Sequence, residues 1–145
     1  MEKKENIFAF IDTNNLRLGI KNDLGWNLDF KKFRVYLKEK YSVTTAYLFI
    51  GFVPNNQDLY SFLQKTGFVI VFKPTIPDKD GNIKGNIDAD LVLQTMIDYP
   101  NYDKALIVTS DGDFYSLVKY LYENNKLRLV MSPYVKTCSS LLRKS

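Results

Sequence analysis

The sequence predicts one three-layer α/β/α domain over residues 1–145, with a mainly parallel five-stranded sheet. Three observations predict it. Short apolar runs recur without polar alternation, as strands buried on both faces require. Each run is followed by a stretch with apolar residues at helical spacing. Turn-forming residues separate the two kinds of segment, so strands and helices alternate and the crossovers are right-handed. A chain of 145 residues fits a single domain of this kind.

Taken in order, Ile7-Phe8-Ala9-Phe10-Ile11 is a continuous apolar run that ends at Asp12. Thr13-Asn14-Asn15 then opens a turn or short helix. From Asp29 to Tyr41, Phe30, Phe33, Leu37 and Tyr41 recur at helical spacing. Val43 to Ile50 is rich in β-branched and aromatic residues and reads as the second strand. Pro54-Asn55-Asn56 breaks it. Leu59, Phe62 and Leu63 mark a helix that stops at Gly67, and Phe68 to Phe72 is the third strand. Residues 74–84 are turn-rich, and Asp80-Gly81 predicts a tight hairpin. A helix is predicted over Ile87–Asp98, with Ala89, Val92, Leu93 and Met96 on one apolar face. Ala105-Leu106-Ile107-Val108 is the fourth strand. Phe114, Leu117, Val118 and Leu121 give another helix, and Leu127 to Met131 is the fifth strand. Lys136 to Ser145 reads as the start of a helix, cut early if it runs three turns.

Composition narrows the chemistry. Histidine is absent, which excludes a His base, a His metal ligand and a Ser-His pair. The single cysteine, Cys138, excludes an internal disulfide framework. No apolar run approaches the roughly 18 residues of a membrane span, and the charged N-terminus lacks a signal-peptide pattern, so a cytoplasmic protein is expected. The net charge of +4 fits a nucleic-acid partner.

The aspartates carry the functional signal. Asp12 stands just past the first strand; Asp111 and Asp113 stand just past the fourth, with Gly112 between them. If those strands are neighbours, the three carboxylates meet at one rim, where ligands of open α/β sheets bind. Asp88 and Asp90 open the helix before the fourth strand. Residues two apart on a helix point about 200° apart, so Asp88 is expected to face the site and Asp90 the solvent. Any one such aspartate is ordinarily a helix cap. Together they repel unless a cation lies among them, and an all-oxygen set suits Mg²⁺ or Mn²⁺, ions that activate water and neutralise charge on a phosphoryl group.

These motifs resemble a known family. Phe10-Ile11-Asp12-Thr13-Asn14-Asn15 resembles the opening hydrophobic-Asp-x-x-Asn signature of NYN domains, members of the PIN-like nuclease superfamily that include the LabA-like proteins. Lys84-Gly85-Asn86-Ile87-Asp88 resembles the second motif. Thr109-Ser110-Asp111-Gly112-Asp113-Phe114, with Leu117, resembles the third. The resemblance implies a Rossmann-like sheet of strand order near 3-2-1-4-5, a Mg²⁺ or Mn²⁺ site and ribonuclease activity. Carried over by position, Asp12, Asp88, Asp111 and Asp113 are the catalytic, metal-holding acids, and Asn15 is their polar neighbour. Ser110 holds the loop or touches phosphate. Thr13 departs from the pattern, which often has Gly there; its hydroxyl can position a ligand.

Lys84 can contact phosphate. Lys73, Lys79 and Lys84 with Tyr47, Phe49 or Tyr115 could form a strip for single-stranded nucleic acid. Lys31, Lys32, Arg34, Lys38 and Lys40 read as a solvated helix face. Trp26 reads as a loop anchor on the core. The expected function is metal-dependent hydrolysis of RNA, single-stranded or structured. The main rival is a non-catalytic RNA-binding or interaction module of the same fold. A phosphatase of the haloacid dehalogenase type would need Asp where Asn14 stands. Exposed apolar positions on the fifth strand could support a homodimer.

Overall fold

The computed structural model describes residues 5–12, 30–51, 57–73, 76–77, 83–84, 87–109 and 114–131, with 51, 73, 76–77, 83–84 and 87–88 as backbone alone. The described elements are β1 (Ile7–Asp12), α1 (Phe30–Tyr41), β2 (Val43–Gly51), α2 (Gln57–Thr66), β3 (Phe68–Lys73), β4 (Ile76–Pro77), β5 (Ile83–Lys84), α3 (Ile87–Ile97), β6 (Lys104–Val108), α4 (Tyr115–Glu123) and β7 (Leu127–Met131). The main sheet runs β3-β2-β1-β6-β7 and every neighbouring pair in it is parallel. Counting its five strands along the chain, that is the expected 3-2-1-4-5 order. The fold therefore reverses its winding between β1 and β6, so the two central strands meet where a site is expected.

The β1 run is apolar throughout because both of its faces are covered. Ile7, Ala9 and Ile11 lie in one core with Phe33 and Leu37 of α1 and Leu63 of α2. Phe10 lies in the other with Leu91 of α3 and Phe114, Leu117 and Leu121 at and along α4. Among the described residues, two helices on each face complete the three layers. The second core is strongly aromatic. Phe10 stacks at 5.4 Å on Tyr47 and meets Tyr102 edge-on at 5.7 Å, which anchors the strand that ends at Asp12.

The helix stops follow from backbone chemistry. Gly67 ends α2 with φ +111, a conformation that a residue with a Cβ resists. Ser42 and Asn125 follow α1 and α4 at φ 58 and 57, single left-handed residues of the sort that close a helix. Arg34 ties α1 to these turns. Its guanidinium donates to the carbonyls of Gly67 at 3.2 Å, Val43 at 3.4 Å and Thr44 at 3.4 Å.

The α3 face corrects one expectation. Ala89, Leu93 and Met96 are exposed and Val92 is half-buried, while Leu91 and Thr95 are buried. The helix is apolar nearly all round, so its periodicity does not single out an inner face. Thr95 is admitted to the core because its hydroxyl donates to the Leu91 carbonyl at 2.7 Å. In α2, where Leu59, Phe62 and Leu63 mark the helix by spacing, Phe62 is 47% exposed. Tyr60 and Leu63 are the buried residues of that helix. An antiparallel pair, β4-β5, flanks Asp80-Gly81, with Ile76 opposite Lys84 and Pro77 opposite Ile83; the tight turn expected at Asp80-Gly81 lies outside the described residues.

One polar group is buried beneath the aromatic core. Asp98, just past α3, accepts from Gln94 Nε2 at 2.9 Å and is hydrogen-bonded to the Tyr47 hydroxyl. Burial first, and then this carboxylate, push the Tyr47 phenol up to about 12. Burial raises Tyr102 as well. A tyrosine whose folded value lies above its unfolded value of about 10 keeps its proton in the native state after the unfolded chain has lost it. Stability from this source is complete below pH 10 and falls as pH rises toward 12. Chemical denaturation across that window is expected to show the fall, and Tyr47→Phe is expected to make it shallower. A decline of equal steepness in the variant would contradict the assignment to Tyr47.

Candidate metal and nucleic-acid site

Asp12 is the last residue of β1. Its Cα stands in register with Phe49 of β2, and the preceding residue, Ile11, stands in register with Val108 of β6. A carboxylate at this position is flanked by two parallel strands, and only 2% of Asp12 is exposed. Thr109 continues past the last ladder residue of β6 and is also buried, at 4%. Its Oγ1 donates to Asp12 Oδ2 at 3.2 Å. The Thr109 amide donates to the Met131 carbonyl at 2.9 Å, so this residue is fixed from the β7 side as well.

Asp88 lies in the first turn of α3. That helix ends at Ile97, next to Asp98 and the single 3₁₀ turn Tyr99–Asn101. The Asn101 carbonyl there accepts from Asn6 Nδ2 at 2.8 Å, and Asn6 immediately precedes β1. The C-terminal end of α3 therefore lies at the edge of the sheet where the strands begin. Eleven helical residues span about 16 Å, close to the roughly 17 Å of a five-residue strand. Asp88 lies at the opposite end of α3, and its side chain lies outside the described residues. Asp90, expected to face solvent, is half-buried and engaged.

The segment carrying Ser110, Asp111 and Asp113 connects Thr109 to Phe114. Both of its anchors are buried, and Thr109 touches Asp12. Ser110, Asp111 and Asp113 themselves lie outside the described residues, as do Thr13, Asn15, Lys79, Trp26, Cys138 and 136–145. Lys84 is placed as the last residue of β5, opposite Ile76. Among the described residues no three acidic, His or Cys side chains gather; of the four acids expected to hold a metal, the described side chain is that of Asp12. Its chemistry fits a hard divalent cation: a carboxylate at the mouth of a parallel sheet, in a chain without histidine.

Two aromatic expectations are corrected. Phe49 is 1% exposed and Tyr47 is half-buried, with both rings in the core beside Phe10. Neither offers a face to a base. They are strand residues with alternate side chains directed into the α3–α4 layer, and β-propensity alone does not separate such a ring from a surface platform. Tyr115, at the start of α4, is 68% exposed and keeps that potential. The basic face of α1 is partly structural: Arg34 bonds backbone carbonyls and Lys40 lies 5.6 Å from the Tyr36 ring. Thr109 was not identified from sequence as a site residue. Its signal was the register of the two strand ends, since the residue after Val108 must lie beside Asp12 once β1 and β6 pair in parallel.

Among the described residues no helix is long and apolar enough to cross a membrane. Residues 6–145 match the profile of the NYN domain family. No curated protein matches the chain. A crystal structure of a protein of unknown function from Vibrio parahaemolyticus has a similar fold, with a TM-score of 0.76, covering 99% of this chain and 93% of that one at 24% sequence identity.

Proposed function

The chain belongs to the NYN domain family, in the PIN-like nuclease superfamily, and on that premise we propose that it is a metal-dependent ribonuclease hydrolysing RNA phosphodiester bonds. The observation that carries this reading is the Asp12 carboxylate, buried at the end of the central strand and hydrogen-bonded to Thr109 at the entry to the Ser110–Asp113 segment. Burying a carboxylate costs free energy unless a partner or a cation compensates it, and a position at the switch point of the sheet is where such a group can meet a ligand.

In this reading Asp12, Asp88, Asp111 and Asp113 hold Mg²⁺ or Mn²⁺. Bound there, the ion supplies Lewis-acid neutralisation of the charge that develops on the phosphodiester. The protein side of the reaction is positional. Asp12 is held at the end of β1 by its bond with Thr109, and a carboxylate held in place before the ion arrives needs little reorganisation when charge develops. Lys84, on the hairpin before α3, binds a flanking phosphate. Ser110, Asn15 and Thr13 orient the backbone of the RNA, single-stranded or structured, by hydrogen bonds. The compartment is cytoplasmic, where RNA is abundant.

Labelled RNA incubated with Mn²⁺, Mg²⁺ or EDTA tests the proposal. Cleavage that requires the ion supports it. Salt-dependent RNA binding with no cleavage under either ion overturns it in favour of the non-catalytic module.

A further inference from the structure

We propose that Thr109 is a positioning residue for the metal site, acting through Asp12; the inference rests on the metal-dependent reading above. A carboxylate at the end of a strand can rotate about its terminal bond. Here its Oδ2 accepts from Thr109 Oγ1 at 3.2 Å. That bond restrains rotation of the group, so one orientation of its oxygens is favoured before an ion arrives.

Three observations make the donor rigid. Threonine is β-branched and stiff at χ1. The residue is buried at 4%. Its own amide donates to the Met131 carbonyl at 2.9 Å, so the hydroxyl is carried on the continuation of β6 and tied to β7. Residues that orient metal ligands without touching the metal typically change metal affinity by about 10–100-fold when removed. The motif resemblance starts at this threonine but gives the functional role to Ser110 and the aspartates; the geometry adds Thr109.

The test is Mn²⁺ binding by the full chain, followed through the electron paramagnetic resonance signal of the unbound ion. It compares wild type, Thr109→Val, Thr109→Ser and Asp12→Asn, each also melted in EDTA. Valine keeps the shape and removes the donor; serine restores the donor. The expected result is Mn²⁺ affinity about 10-fold weaker or more in Thr109→Val, near wild type in Thr109→Ser, and lost in Asp12→Asn. If Thr109→Val does not fold by circular dichroism, Thr109→Ala carries the same expectation. Wild-type affinity in a folded Thr109→Val or Thr109→Ala variant, with loss in Asp12→Asn, would overturn the positioning role while leaving the metal site standing. Equal Mn²⁺ binding by wild type and Asp12→Asn, or none by wild type, would overturn the metal site and the role of Thr109 with it.

Discussion

Asp12→Asn is expected to lower metal-dependent RNA cleavage by roughly 10³-fold, equivalent to about 4 kcal/mol of transition-state stabilisation. The substitution is nearly isosteric. Asparagine's carbonyl can still accept from Thr109 Oγ1, so the 3.2 Å bond between the strand ends need not be lost. What disappears is the negative charge in a buried position. In the absence of an ion, removing that charge relieves a desolvation penalty, and the variant is expected to melt in EDTA no lower than wild type. Loss of cleavage together with an undiminished melting temperature would separate a catalytic role from a structural one. A variant that cleaves as wild type does would remove Asp12 from the site.

The largest expected effect on stability lies one turn of the pleat below the site. Phe10 is fully buried and contacts the rings of Phe8, Tyr47, Phe49 and Tyr102. Phe10→Ala removes a large side chain from the middle of a central strand whose neighbours are held by β2 and β6, so the gap has little means of closing. A cost of about 3–5 kcal/mol follows. For a domain of this size that corresponds to a melting temperature lower by roughly 10 °C. Thermal melting followed by circular dichroism checks it, and a fall of only a degree or two would mean that the aromatic layer repacks.

The strands were legible because parallel, doubly covered strands are apolar without alternation. β1, β6 and β7 stand within a residue of the runs that mark them. The helix faces were legible where polar residues bound the stripe, as with Phe33 and Leu37 in α1 or Leu117 and Leu121 in α4. They were not legible in α3, where leucine, methionine and isoleucine occupy every side and tertiary packing chose Leu91 and Thr95. At the site, Asp12 could be found from its place after an apolar run. The roles of Tyr47 and Phe49 could not, because an aromatic in a strand reads alike whether it faces a core or a ligand. Thr109 needed the pairing of β1 with β6, which is a property of topology and not of local sequence.

If the aspartates of this chain gather a cation to cut RNA, cleavage depends both on them and on the ion. The measurement that tests it most directly is cleavage of labelled single-stranded and structured RNA by wild type and by Asp111→Asn, prepared identically, with Mn²⁺, with Mg²⁺ and with EDTA. Cleavage by wild type that needs the ion and vanishes in Asp111→Asn is the predicted result. Equal cleavage by both proteins, or none by wild type under either ion, would contradict it.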